Sequence, residues 1–254
     1  MTDTADTTGA TDRTTPSVRR FHPSAAGVRL VCFPHAGGAA SYFYQVSKQL
    51  RPVADVLAVQ YPGRQERRKE PCLTGVTELA DVLAEELLEW ADRPLAFFGH
   101  SMGALVGFEV ARRLEPKGVR LVSFFASGRA APSLSRDEGV HRRDDAGLIA
   151  KMKELGGTAG SLLDDPEVVE MLLPALRNDY RAVETYRLTP GPPLGCPLVV
   201  LTGDADPQVS VEEAARWRDF STGEFEMHTY PGGHFYLDAH AASVLGKIRA
   251  RLGG

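Results

Sequence analysis

Leu95-Ala96-Phe97-Phe98-Gly99-His100-Ser101-Met102-Gly103-Ala104-Leu105-Val106-Gly107-Phe108 is the stretch whose reading decides the fold. A short apolar run bounded by glycine reads as a buried strand. The run after Gly103 continues as an apolar-rich helix over residues 104–114. A strand that passes into a helix through Gly99-His100-Ser101-Met102-Gly103 needs a sharp turn, and side chains at the two glycines would collide there. A serine held in such a turn projects its hydroxyl above the edge of a sheet. The competing interpretation, a plain Gly/Ser turn capping a helix, does not require the strand that enters it.

The same alternation extends outward in both directions. Upstream, residues 28–33 form an apolar run that ends at Pro34, residues 40–50 read as a helix, and residues 53–59 as a strand stopped by Pro62-Gly63. Residues 76–90 place Leu79, Val82, Leu83, Leu87 and Trp90 on one helical stripe. Downstream, residues 119–126 read as a strand, and then the alternation lapses. Residues 129–193 carry only helical patterns, with Leu148, Ile149, Met152 and Leu155 on one stripe and Val169, Leu172, Leu173, Leu176, Tyr180 and Val183 on another. Pro174 is expected to break or kink the second. Strands resume at 197–202 and 225–230, with helices at 211–220 and 241–252. Strands alternating with helices predict an α/β domain with a mostly parallel sheet, helices on both faces and a helical insertion at about 129–193.

A chain of 254 residues with 43% hydrophobic residues suits one such domain, expected over residues 21–254. Residues 1–20 begin with a Thr- and Asp-rich segment and are expected to form a disordered tail. The formal net charge of −4 gives no reason to expect nucleic-acid binding. No apolar run suffices to span a membrane. Cys32, Cys72 and Cys196 are scattered, with no metal-binding spacing; the odd number and the lack of an export signal point to a reducing cytoplasm.

A serine hydroxyl needs a neighbouring base to act as a nucleophile at neutral pH. In a sheet of this kind the partners follow in the order serine, acid, histidine. Leu198-Val199-Val200-Leu201 runs into Thr202-Gly203-Asp204-Ala205-Asp206, and Glu226 to Tyr230 runs into Pro231-Gly232-Gly233-His234. These nominate Ser101, Asp206 and His234. Asp206 is preferred to Asp204, which is expected to hold the turn, and Asp238 falls in the wrong order. The backbone N–H groups of Ala36, in Phe33-Pro34-His35-Ala36-Gly37-Gly38, and of Met102 are expected to form an oxyanion hole. His100 is expected to support the turn and His35 to shape its loop. His22, His141 and His240 are expected at the surface, and His228 lies within a strand with no partner signal. The turn Tyr61-Pro62-Gly63-Arg64-Gln65-Glu66-Arg67-Arg68-Lys69 either steers an acidic partner or phosphate, or is a solvated loop with a structural Arg64.

With these residues in place, the chain resembles the stand-alone type II thioesterases of polyketide and nonribosomal peptide pathways, which have the α/β-hydrolase fold. The resemblance rests on F-P-H-A-G-G at 33–38, Y-P-G-R at 61–64, G-H-S-M-G at 99–103, G-D-x-D at 203–206 and G-G-H-F at 232–235, and runs from about residue 28 to the C-terminus. It implies an editing hydrolase that removes stalled or wrong acyl groups from the phosphopantetheine arm of acyl or peptidyl carrier proteins. It also implies Ser101, Asp206 and His234 as the triad, Ala36 and Met102 as oxyanion amides, and residues 129–193 as a helical lid. No metal or cofactor is implied, since phosphopantetheine arrives as part of a carrier-protein substrate supplied in trans. The residues alone leave three alternatives: a serine esterase or lipase acting on small diffusible esters, an acyltransferase, and a non-catalytic carrier-binding protein on the same scaffold.

Overall fold

A computed structural model describes residues 15–156 and 165–253. Seven strands form one sheet: β1 (Val18–Arg19), β2 (Arg29–Phe33), β3 (Asp55–Val59), β4 (Leu95–His100), β5 (Leu121–Ser127), β6 (Leu198–Gly203) and β7 (Phe225–Tyr230). Their spatial order is β1-β3-β2-β4-β5-β6-β7; β1 pairs antiparallel with β3, and the other pairs are parallel. The helices are α1 (Tyr44–Leu50), α2 (Val76–Leu88), α3 (Met102–Leu114), α4 (Asp145–Leu155), α5 (Pro166–Thr185), α6 (Val211–Ala215), α7 (Tyr236–Ala239) and α8 (Ala241–Leu252).

The strand period of two divides the apolar residues between two cores. Val31, Phe33, Leu57, Phe97, Phe124 and Val200 point to one face, where α2 and α3 cover them with Leu83, Leu87, Leu105 and Phe108. Leu30, Cys32, Val56, Phe98, Phe125 and Val199 point to the other, under Leu50 of α1 and Val244, Leu245 and Ile248 of α8. Burial on both faces explains why the central strands read as continuous apolar runs rather than alternating ones.

After β2 the chain passes to β3 on one side of it and then returns to β4 on the other. This reversal opens a crevice at the carboxyl ends of β2 and β4, the place where open α/β sheets bind ligands. Between β5 and β6 the described residues contain α4 and α5 and no strand, forming a helical lid with its own small core of Val140, Leu148 and Leu176.

Two expectations are corrected here. The tail reading fails for residues 15–20, while residues 1–14 lie outside the described residues. Val18 pairs with Val59, Ser17 Oγ donates to Glu86 at 2.8 Å, and Arg20 reaches the buried carboxylate of Asp55 at 3.0 Å. A polar segment docks when the domain offers it strand partners and buried charges, which composition alone does not reveal. Pro174 lies inside α5 without breaking it. An interior proline costs a helix about 3 kcal/mol, but α5 buries Ala175, Leu176, Asp179 and Ala182 against the domain, and that packing outweighs propensity.

Candidate active site

Ser101 sits at the N-terminus of α3 with φ 55° and ψ −117°, a backbone conformation that non-glycine residues rarely adopt. Its N–H donates to Ser127 O at 2.8 Å. The flanking glycines are required by contact. A Cβ at Gly99 would lie 2.2 Å from Gly103 O, and one at Gly103 would lie 2.0 Å from Phe33 O. The tight turn thus leaves Ser101 on the crevice with the N-terminus of α3 beneath it. Met102 opens that helix, so its N–H has no partner within the helix. Ala36 follows β2 within a turn closed by Gly38 N–H donating to His35 O at 2.9 Å, and it lines the same cleft as Ser101.

Two loops further along the sheet edge bring Asp206 and His234 together. His234 Nδ1 lies 2.8 Å from Asp206 Oδ2, with both side chains buried. The second carboxylate oxygen accepts the Gln208 N–H at 2.8 Å, which fixes the acid's orientation. Asp204 has a different task. Its Oδ1 accepts the Gly232 N–H at 2.9 Å, while Ala205 N–H donates to Gly232 O at 3.0 Å. Asp204 therefore stitches the acid loop to the histidine loop, as turn chemistry suggests.

Behind His234 lies a layer of neutral rings. His100 is fully buried, with its ring 5.0 Å from that of His234, and its Nδ1 meets Ser127 Oγ at 2.9 Å. Ser127 Oγ also bonds Tyr236 OH at 2.6 Å. One hydroxyl at the end of β5 thereby ties the serine turn to the histidine loop. His35 packs edge-on between Tyr42 and Phe235.

Burial, reinforced by His234 and His35, holds His100 well below the usual imidazole value. Burial, with His234 and Arg64 nearby, pushes His35 down to about 3. The His100 cation would also need two acceptors, and Nε2 has none among the described residues. For both groups the folded pKa is depressed, so between 6.5 and the folded value the unfolded chain binds protons that the folded chain refuses. Their contribution is present in full above pH 6.5 and is lost as pH falls, by roughly 1.4 kcal/mol per pH unit for each ring. Urea midpoints at pH 7 and 5.5 should show stability dropping by about 2–4 kcal/mol. A flat or rising midpoint would mean that these rings are not held neutral.

Of the two readings of the basic turn, the structure supports a structural role for Arg64. Arg64 is buried, and its two terminal nitrogens meet Asp179 of α5 at 2.7 and 2.8 Å. It also donates to Gly38 O at 3.1 Å, and Asp179 Oδ2 accepts the Gly37 N–H at 2.8 Å. Arg67 is likewise enclosed, bonding Ser17 Oγ, Gln60 O and Glu70. Only Arg68 and Lys69 of the four cations are exposed. The turn joins the lid helix to the loop carrying Ala36.

Breaking a buried pair of this kind by removing one partner typically costs about 3–5 kcal/mol. Asp179→Ala is therefore expected to lose roughly that much stability in urea unfolding, whereas a loss below 1 kcal/mol would mean water reaches Arg64. No local signal marks Asp179, because its partner lies 115 positions away. Ser127 and Tyr236 were missed for the same reason. The histidines expected at the surface are at least half-buried and partnered: His22 with Ser47, His141 with Glu184, and His240 with Pro231 O.

Comparisons with known proteins identify the family. The thioesterase domain family model matches residues 28–252. A "Probable cadicidin biosynthesis thioesterase" of Streptomyces griseus is 52% identical over 96% of this chain and 68% of its own length. "Thioesterase PikA5" of Streptomyces venezuelae is 51% identical over 87% of this chain and 80% of its own. Among solved structures, the type II thioesterase BorB from the borrelidin biosynthetic cluster superposes with a TM-score of 0.89 at 46% identity, covering 94% of this chain and 99% of that one. By sequence and by overall structure, this chain belongs to the thioesterase domain family.

Proposed function

We propose that this enzyme hydrolyses acyl thioesters from the phosphopantetheine arm of acyl or peptidyl carrier proteins supplied in trans, clearing stalled or aberrant acyl groups, with Ser101, His234 and Asp206 as the catalytic triad. The observation that carries this reading is the buried His234–Asp206 pair on the sheet edge that also presents Ser101 in its strained turn, on a cleft lined by residues of α4 and α5. Relatives at this level of similarity include the type II thioesterase BorB and YbtT, a type II thioesterase from a yersiniabactin NRPS/PKS pathway.

The chemistry follows from these positions. Ser101 Oγ attacks the thioester carbonyl as its proton passes to His234 Nε2, with Asp206 holding the Nδ1–H tautomer and stabilising the imidazolium. The Ala36 and Met102 N–H groups receive the developing oxyanion; one such donor is typically worth about 2.7–4 kcal/mol. Collapse of the tetrahedral intermediate breaks the C–S bond, and the sulfur takes the proton from His234. Water then attacks the acyl-serine with His234 as base, releasing the acid and restoring the Ser101 hydroxyl. Each proton transfer is made by a side chain of this chain, and the phosphopantetheine enters only as part of the substrate.

No helix among the described residues is long and apolar enough to cross a membrane. The carrier would be met in the cytoplasm, where Cys32, Cys72 and Cys196, all free, would stay reduced. The function is tested by presenting one acyl group in three forms: on a carrier protein, on a small thiol and as an oxygen ester. The carrier-bound thioester should be turned over best; preference for the oxygen ester would replace this reading with a small-ester hydrolase.

A further inference from the structure

Arg129 lies two residues past the end of β5 and lines the cleft onto which Ser101 opens. Its backbone is clamped: its carbonyl accepts the Trp217 indole N–H at 2.8 Å, and the preceding Gly128 N–H donates to Leu201 O at 2.9 Å. Its side chain, by contrast, makes no hydrogen bond or ion pair among the described residues, and its Nε is enclosed without an acceptor. Burial, reinforced by Arg136, lowers its pKa to about 10.

The other charges in the cleft are already engaged. Arg136 pairs with Glu213 and donates to Gln208 O, Glu138 meets Lys151 at 3.3 Å, and Glu184 accepts the Val140 N–H at 2.9 Å and pairs with His141. Gln208, fixed through its own N–H to Asp206, lines the same cleft with a second buried and unpartnered nitrogen, Nε2. Neither enclosed nitrogen, Arg129 Nε or Gln208 Nε2, has an acceptor among the described residues, and an enclosed donor without one is costly unless the occupant of the cleft supplies it.

We infer that Arg129, together with Gln208, recognises an acceptor oxygen on the acyl group, so that the preferred cargo is an oxygenated acyl chain rather than a plain alkyl one. The inference rests on the thioesterase reading and adds a substrate class to it. The shared chemistry is an oxygen lone pair beyond the thioester carbonyl. It can be the neutral oxygen of a keto or hydroxyl group, or the anionic oxygen of a terminal carboxylate. Hydrogen bonds to a charged donor imply a preference of roughly ten- to a hundredfold over the alkyl analogue.

The test loads one carrier protein with butyryl, 3-hydroxybutyryl, 3-oxobutyryl or malonyl groups and measures kcat/KM for the wild type, Arg129→Met and Gln208→Leu. The wild type should favour at least one oxygenated cargo by tenfold or more. Arg129→Met should abolish that advantage while leaving butyryl release within about threefold. A gain confined to malonyl identifies a carboxylate as the acceptor; a gain for the hydroxy or oxo chain identifies a neutral oxygen. A wild type that handles butyryl as well as every oxygenated cargo overturns the inference, as does an equal loss on all cargoes in Arg129→Met. Labelling of Ser101 by a fluorophosphonate at the wild-type rate checks that the variants are folded. If Arg129→Met fails to label, the wild-type panel and Gln208→Leu decide. Butyryl release without preference removes this inference alone, whereas no release from the carrier removes the thioesterase reading as well.

Discussion

Asp206→Asn is expected to lower kcat by about 10⁴-fold, the cost of neutralising the carboxylate in a triad of this type. The asparagine preserves shape but no longer selects the Nδ1–H tautomer or stabilises the imidazolium. Oδ2 of Asp206 lies 2.8 Å from His234 Nδ1, its Oδ1 accepts the Gln208 N–H, and no second acid among the described residues bonds that nitrogen. Asp204→Asn should be far milder, because its carboxylate oxygen serves only to accept the Gly232 N–H in the stitch between loops. Single-turnover release of an acyl group from a carrier protein measures both. Comparable losses in the two variants would transfer the acid's role away from Asp206.

Ser101→Ala carries the larger effect, on the order of 10⁶-fold in kcat, with no acyl-enzyme detectable by mass. His234→Ala should cost a similar amount, and the double variant little more than either single one, because the two groups act in one proton transfer. Multiplicative losses in the double variant would show that they act independently. The strain at φ 55° gives a second readout. Alanine relieves none of it, so Ser101→Ala should unfold at nearly the same urea concentration as the wild type, separating loss of chemistry from loss of fold.

Where the physical determinants are local, the chain could be read directly. The strand entering Gly99-His100-Ser101-Met102-Gly103 and the helix leaving it appear in the structure as β4 and α3, with the two glycines at contacts that leave no room for a Cβ. The boundaries of β7 and α8 coincide with the expected ones at 225–230 and 241–252, since periodic apolar residues and glycine turns bracket both. Boundaries drifted where turn geometry rather than periodicity decides. The helix expected at 40–50 begins as a 3-10 turn over Ala40–Phe43, and the one at 211–220 ends as another over Arg216–Phe220. The order of Ser101, Asp206 and His234 could be read because each follows a recognisable strand, and the carboxyl ends of parallel strands lie on one edge of the sheet.

What the linear sequence determined by itself was therefore the alternation of strands and helices, the serine turn, and which three loops carry the proposed nucleophile, acid and base. Tertiary structure alone decided which polar residues support them. Arg64 could be a steering or a structural charge until α5 brought Asp179 onto it; Ser127 lies one residue past the expected strand, and only the fold brings His100 and Tyr236 to its hydroxyl; and nothing local marks Arg129, whose Nε has no acceptor among the described residues. The reason is one of range. Backbone propensity and apolar periodicity act over a few neighbouring residues, whereas the partner of a buried charge or hydroxyl is chosen by whichever distant segment folds against it.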